Sequence, residues 1–132
     1  MTGRLDHELR RLAHAVDGLS KRIAQLDPAS LSVAQWQETA ASLGTQITEM
    51  NSAANEISNA FGLTSTQARL LLYLKAHVGQ VVTNHQLRGV AGIHDWPRRV
   101  RELREQGWPI STNTNRADLQ SGEYVLESLR RT

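Results

Sequence analysis

The sequence predicts a mostly α-helical chain, with a heptad-patterned helical hairpin over residues 1–62. A helix-turn-helix closed by a small β-hairpin wing follows over residues 63–132. Three observations carry this. Apolar residues recur at alternating spacings of three and four through the first half, as helices that pack along their length require. Residues 83–107 place two short apolar-faced segments on either side of Gly92, the layout of two helices joined by a tight turn. Two extended segments, 108–112 and 123–127, then flank a loop rich in turn-forming residues.

Leu5, Leu9, Leu12, Val16, Leu19, Ile23 and Leu26 are spaced 4, 3, 4, 3, 4, 3, with Leu9, Val16 and Ile23 at heptad position a and the four leucines at d. Asp27-Pro28-Ala29-Ser30-Leu31-Ser32 interrupts the helix, since Pro28 disfavours helical geometry at Asp27. Ser32 is placed to cap the next helix. That helix carries Val33, Trp36, Ala40, Leu43, Ile47, Met50, Ala54, Ile57 and Phe61 at the same repeat and closes at Gly62. An antiparallel hairpin burying both stripes is one reading. Oligomerisation is the other, because two isolated helices bury little surface and narrow a/d stripes suit intermolecular packing. The expectation is a homodimer or homotetramer held by residues 1–60, with Arg22 facing Asp27 of a second copy. His7 and His14 both fall at position f and read as surface residues.

In the second half, Thr64-Ser65-Thr66-Gln67 has the pattern of a capping box, with Gln67 reaching back to Thr64. The helix it opens runs to about His77 and draws its apolar contacts from Ala68, Leu71, Leu72 and Leu74. Gly79 breaks it, and Val81-Val82 resembles a short strand. Thr83 caps a helix bearing Leu87, Val90 and Ala91, and Gly92 allows the turn. Asp95 is positioned to cap the next helix, with Pro97 in its first turn and Gly107 beyond its end. Trp96, Val100 and Leu103 form its buried stripe. Helix, short strand, helix, turn, helix, hairpin is the order of a winged helix-turn-helix.

The 132 residues are 39% hydrophobic, with one Phe, two Tyr and three Trp. Net charge is +2, unevenly divided. Residues 1–60 hold five Lys/Arg against seven Asp/Glu, or −2, and residues 61–132 hold ten against six, or +4. The basic half is the helix-turn-helix half, as binding to a polyanion requires. With no cysteine there is neither disulfide framework nor thiolate nucleophile. No long apolar run or signal-peptide core occurs, so the expected location is the cytoplasm. Nucleotide-loop, zinc-protease and serine-hydrolase motifs are absent from the sequence, and no paired-histidine metal spacing occurs. The expectation is a protein without catalytic residues, metal or cofactor.

Double-stranded DNA is the expected partner. Arg98 and Arg101 point away from the buried stripe and are the candidates for reading base edges in the major groove. The competing role for them is i, i+4 pairing with Glu102 and Glu105 on a solvated face. Arg99 and Arg104 flank the helix, where phosphates would lie. Asn84 and His85 open the preceding helix, where backbone N–H groups favour a phosphate. His94 is placed at the start of the arginine helix. Arg116, in the wing loop with Asn113, Asn115 and Asp118, is a candidate for the minor groove. Trp96, Trp108 and Tyr124 read as core.

Residues 79 to about 129 also resemble a winged-helix module that accompanies HNH endonuclease domains in restriction-type and mobile-element proteins. The similarity is carried by Gln86 to Ile93, Trp96 to Arg104, Gly107 to Ile110, and Ser121 to Leu129. It implies DNA binding or recognition. It does not extend to the nuclease, since only Arg130-Arg131-Thr132 follow Leu129, nor to the heptad region. The resulting expectation is a dimeric regulator of transcription or of a mobile element. The alternatives are a protein-docking assembly module and the recognition part of a longer nuclease.

Overall fold

A computed structural model describes residues 2–92 and 95–132 and divides the chain into two compact units, Met1–Gly62 and Leu63–Thr132. The chain is mostly helical. The described residues form five helices and one small antiparallel sheet.

The first unit is an antiparallel pair, α1 (Thr2–Ala24) and α2 (Val33–Ala60). Ser32 begins α2 with a full capping box: its hydroxyl accepts from the Gln35 N–H at 3.1 Å, and the Gln35 side chain accepts from the Ser32 N–H at 2.8 Å. Ion pairs Arg4–Glu56 and Arg11–Glu49 step seven residues along each helix in opposite directions, which fixes the register. The fully buried positions of the seam are small or polar: Glu8, Ala15, Thr39 and Ala53. The Glu8 carboxylate accepts from Arg11 at 2.9 Å, so its burial is compensated.

The heptad stripe of α1 does not act as one surface. Leu5, Leu12, Leu19 and Leu26 are half-buried within the hairpin, whereas Leu9, Val16 and Ile23 are 55%, 50% and 49% exposed. One neighbouring helix covers only one edge of a stripe that is two positions wide, and the a residues fall beyond that edge. Arg22 lines a cleft with Glu38 of the same hairpin.

The second unit runs α3 (Thr66–Ala76), β1 (Val82–Thr83), α4 (Asn84–Ala91), α5 (Trp96–Glu105), β2 (Ile110–Ser111) and β3 (Glu123–Leu126). The sheet order is β1-β3-β2, with Val82 opposite Tyr124 and Ile110 opposite Leu126. The last strand therefore lies between the two earlier ones and ties the hairpin to the start of α4. The core gathers Leu70 and Leu74 from α3 and Leu87 and Ala91 from α4. Trp96, Val100 and Leu103 come from α5, and Val82, Ile110 and Leu126 from the strands. Thr83 caps α4 in a second full capping box with Gln86, and Gly92 ends it at φ +74°.

Three local expectations are corrected. The N-cap of α3 is Ser65, which accepts from the Ala68 N–H at 3.1 Å, and Gln67 does not reach back. Its side chain instead joins α5, donating to Glu102 and accepting from Gln106, each at 2.9 Å. On α3, Leu70 and Leu74 form the buried line, while Ala68 and Leu72 are exposed. Leu72 lies two positions from both buried leucines, hence on the far side of the helix. Asp95 makes no side-chain cap bond to α5 and pairs with Arg99 at 3.1 Å.

Arg69 is buried at 6% exposure, an unusual place for an arginine. Its Nε donates to the Leu63 carbonyl at 2.8 Å and its Nη1 to the Ala91 carbonyl at 3.2 Å, joining the entry of α3 to the end of α4.

The hairpin turn is held to α4 at Gly122. The Asn84 N–H donates to the Gly122 carbonyl at 2.8 Å, and Gly122 has φ +83°. A Cβ at this position would stand 3.1–3.3 Å from the Asn84 side chain. Gly122→Ala is expected to destabilise the unit by about 1–2 kcal/mol, because an L-residue is strained in this region and Asn84 must also give way. Thermal melting of the variant measures this; a midpoint equal to the parent's would contradict it.

Candidate nucleic-acid interface

The buried stripe of α5 determines where its arginines go. Trp96 (8% exposed), Val100 (3%) and Leu103 (1%) face the core, so Arg98, Arg101 and Glu105 lie on the opposite side. Arg104 occupies one flank, close enough to Tyr124 for its charge to favour the phenolate, although burial dominates and raises the Tyr124 pKa above its ordinary value. Arg99 and Glu102 occupy the other flank, beside Gln67 of α3.

That second flank is a closed network. Arg99 pairs with Glu102 at 2.8 Å and with Asp95 at 3.1 Å. Hydrogen bonds from Gln67 and Arg99 hold the Glu102 carboxyl below its usual range, and the bond to Glu102 chiefly raises Arg99. Arg99 is therefore a clamp between Asp95 and Glu102. The same network removes Glu102 from the charges that would repel a phosphate.

Arg98, Arg101 and Arg104 are exposed and form neither hydrogen bond nor ion pair among the described residues. Neither Arg98–Glu102 nor Arg101–Glu105 forms an ion pair there; Glu102 is bound by Arg99 and Gln67, and Arg98 acts on it only through its charge. Arg88, in the last turn of α4, is likewise exposed and unpaired. In the sequence it is marked only as a basic residue directly after the core position Leu87.

Arg116 is locked into the loop. Its guanidinium contacts Asp118 through Nε at 3.0 Å and Nη2 at 2.6 Å, and Glu127 through Nη1 at 3.1 Å. Glu127 also accepts from the Ser111 hydroxyl at 2.6 Å, which together with Arg116 lowers its pKa. With three nitrogen atoms engaged by two carboxylates, Arg116 braces the loop. Asn84 packs on Gly122, so its side chain is part of the hairpin anchor. His85 is exposed at the start of α4. His94 lies outside the described residues.

Trp108 is half-buried against the core, between the Lys75 ammonium at 4.6 Å and the Arg131 guanidinium at 5.9 Å from its ring centre. Tyr124 stands edge-on to Trp96 with centroids 5.8 Å apart. Among the described residues no group of three His, Cys, Asp or Glu side chains is arranged to hold a metal. No helix among the described residues is long and apolar enough to cross a membrane.

Residues 67–127 match the family model described as the KpnI N-terminal domain. The matched segment starts in the first turn of α3 and ends just past β3, within the second unit. Neither the curated proteins nor the solved structures compared with the chain give a match.

Proposed function

We propose that residues 63–132 are a winged helix-turn-helix that binds double-stranded DNA by placing α5 in the major groove. The observation that carries this is the division among the arginines of one helix. Arg98, Arg101 and Arg104 are exposed and hydrogen-bond no carboxylate, while Arg99 takes up Asp95 and Glu102 on the flank and Glu105 is the one carboxylate on the outward side. Unpaired guanidiniums are suited to guanine O6/N7 and to phosphate oxygens. The sheet order β1-β3-β2, with α4 and α5 between β1 and β2, supports the winged reading. The likeness to a KpnI domain supports a nuclease-associated DNA role, since KpnI is an HNH restriction enzyme. It also favours a second reading, in which the unit is the recognition part of a longer nuclease.

The proposed protein acts without catalysis of its own, as a regulator of transcription or of a mobile element. The helical hairpin joins two copies, so that two α5 helices meet one duplex. Electrophoretic shift and anisotropy titrations over a range of salt test the DNA reading. Each arginine that neutralises a phosphate adds about −0.9 to the log–log salt slope, as a counterion is released. Binding to duplexes that is flat with salt would overturn it in favour of protein docking.

A further inference from the structure

We infer that a second copy of this chain covers one particular face of the hairpin, the face built on Leu9, Val16 and Ile23 of α1 with Trp36 and Ile47 of α2. This deepens the assembly part of the proposed function and is independent of DNA binding. It also differs from the sequence expectation, in which the d leucines shared the interface; those are now taken up within the hairpin.

The two broad faces of the hairpin differ in chemistry. At about 100° per residue, Arg4, Arg11 and Arg22 of α1 fall on one side of the buried seam, with Glu38, Glu49 and Glu56 of α2 opposite them. The cross-helix pairs Arg4–Glu56 and Arg11–Glu49 lie along that side. Leu9, Val16 and Ile23 fall on the other side of α1, interleaved with Ala13 and Ser20, so no charge interrupts the stripe from Leu9 to Ile23. On α2, Trp36, Ala40, Leu43, Ile47, Met50 and Ala54 fall on this same side, again without a charge. Leu9, Val16, Ile23 and Trp36 are each about half exposed, and Ile47 is 39% exposed.

A strict seven-residue repeat of exposed knobs calls for a helical partner with a matching repeat. This chain has two such helices. The face is two helices wide and as long as the 23-residue α1, about 20 Å by 34 Å. That projects to about 700 Å² before side-chain relief, against the roughly 800 Å² per partner of a stable interface. Meeting its own copy, the face gives an isologous two-fold contact that closes as a four-helix bundle, leaving no open end from which a filament could grow. Ala13 and Ser20 leave room for the facing knobs.

Light scattering on the full chain at tens of micromolar tests this, with helix content followed by circular dichroism. The parent is expected at twice the mass of one chain. Ala13→Glu with Ser20→Glu alters two exposed positions, so the hairpin keeps its helix content while the closed face gains two carboxylates per copy; the expected product is a monomer. Val16→Ser adds no charge and is expected to weaken association tenfold or more, also with helix content retained. His14→Glu, away from the apolar face, should leave the dimer intact. A monomeric parent would overturn the inference and the assembly reading together. A dimeric parent whose association survives both face variants, or is lost equally in His14→Glu, would overturn this face alone and leave the assembly reading standing.

Discussion

Arg69→Met is expected to lower the stability of the second unit by about 3 kcal/mol, since it strips hydrogen bonds from two carbonyls at the centre of the unit. Methionine keeps the apolar stem and the approximate length, so the loss isolates the guanidinium. The Leu63 carbonyl, at the entry to α3, and the Ala91 carbonyl, at the end of α4, lose donors at 2.8 and 3.2 Å. A buried acceptor left without its partner costs about 1–3 kcal/mol, and the C-terminal end of α4 also loses a favourable positive charge. In a unit of this size each kcal/mol moves the melting midpoint by about 4–8 °C, so a fall of more than about 10 °C is expected. Arg69→Lys should recover only part of it, because one ammonium cannot reproduce the planar fork that reaches both carbonyls. Trp36→Phe as background confines the fluorescence signal to Trp96 and Trp108, both in this unit. A midpoint within two or three degrees of the parent would mean that the two ends are joined by other contacts.

Arg69 also shows where the sequence stops being legible. Features set by neighbours along the chain were readable. Ser32 and Thr83 as caps, Gly92 as the left-handed end of α4, and the Trp96, Val100, Leu103 stripe all depend on residues within one or two turns. Features decided by tertiary neighbours were not. Arg69 is buried because the ends of two helices need a donor at one point, and its own surroundings in the sequence do not signal that. Gln67 leaves the expected capping box because Glu102 and Gln106, 35 and 39 residues away, offer partners across the α3–α5 contact. Arg116 is neutralised by Glu127 as well as by nearby Asp118, and that needs the sheet to bring Glu127 back to the loop. The α1 heptad was legible as a repeat. Its division into an inner d edge and an outer a edge follows from how much one antiparallel neighbour can cover.

The same distinction between free and engaged arginines sets the largest expected effects on DNA binding. Arg98→Ala or Arg101→Ala should weaken binding to a preferred site by about 10- to 100-fold and relax the preference at one base position, as loss of a bidentate guanine contact does. Arg104→Ala, on the flank, should weaken all duplexes alike and reduce the salt slope by about one unit. Arg88→Ala tests whether the unpaired arginine of α4 belongs to the same surface, and should resemble Arg104→Ala. Arg99→Ala acts differently again. It leaves Asp95 and Glu102 unmatched beside the groove, so binding should fall through added repulsion, and Glu102→Gln in the same chain should restore it. Fluorescence anisotropy on one selected and one random duplex, each at several salt concentrations, separates these patterns. Rescue of Arg99→Ala by Glu102→Gln is the decisive arm, because a direct phosphate contact by Arg99 would not be recovered by neutralising its partner. If that rescue fails while Arg98→Ala and Arg101→Ala bind as the parent does, the outward side of α5 is not the surface that meets DNA.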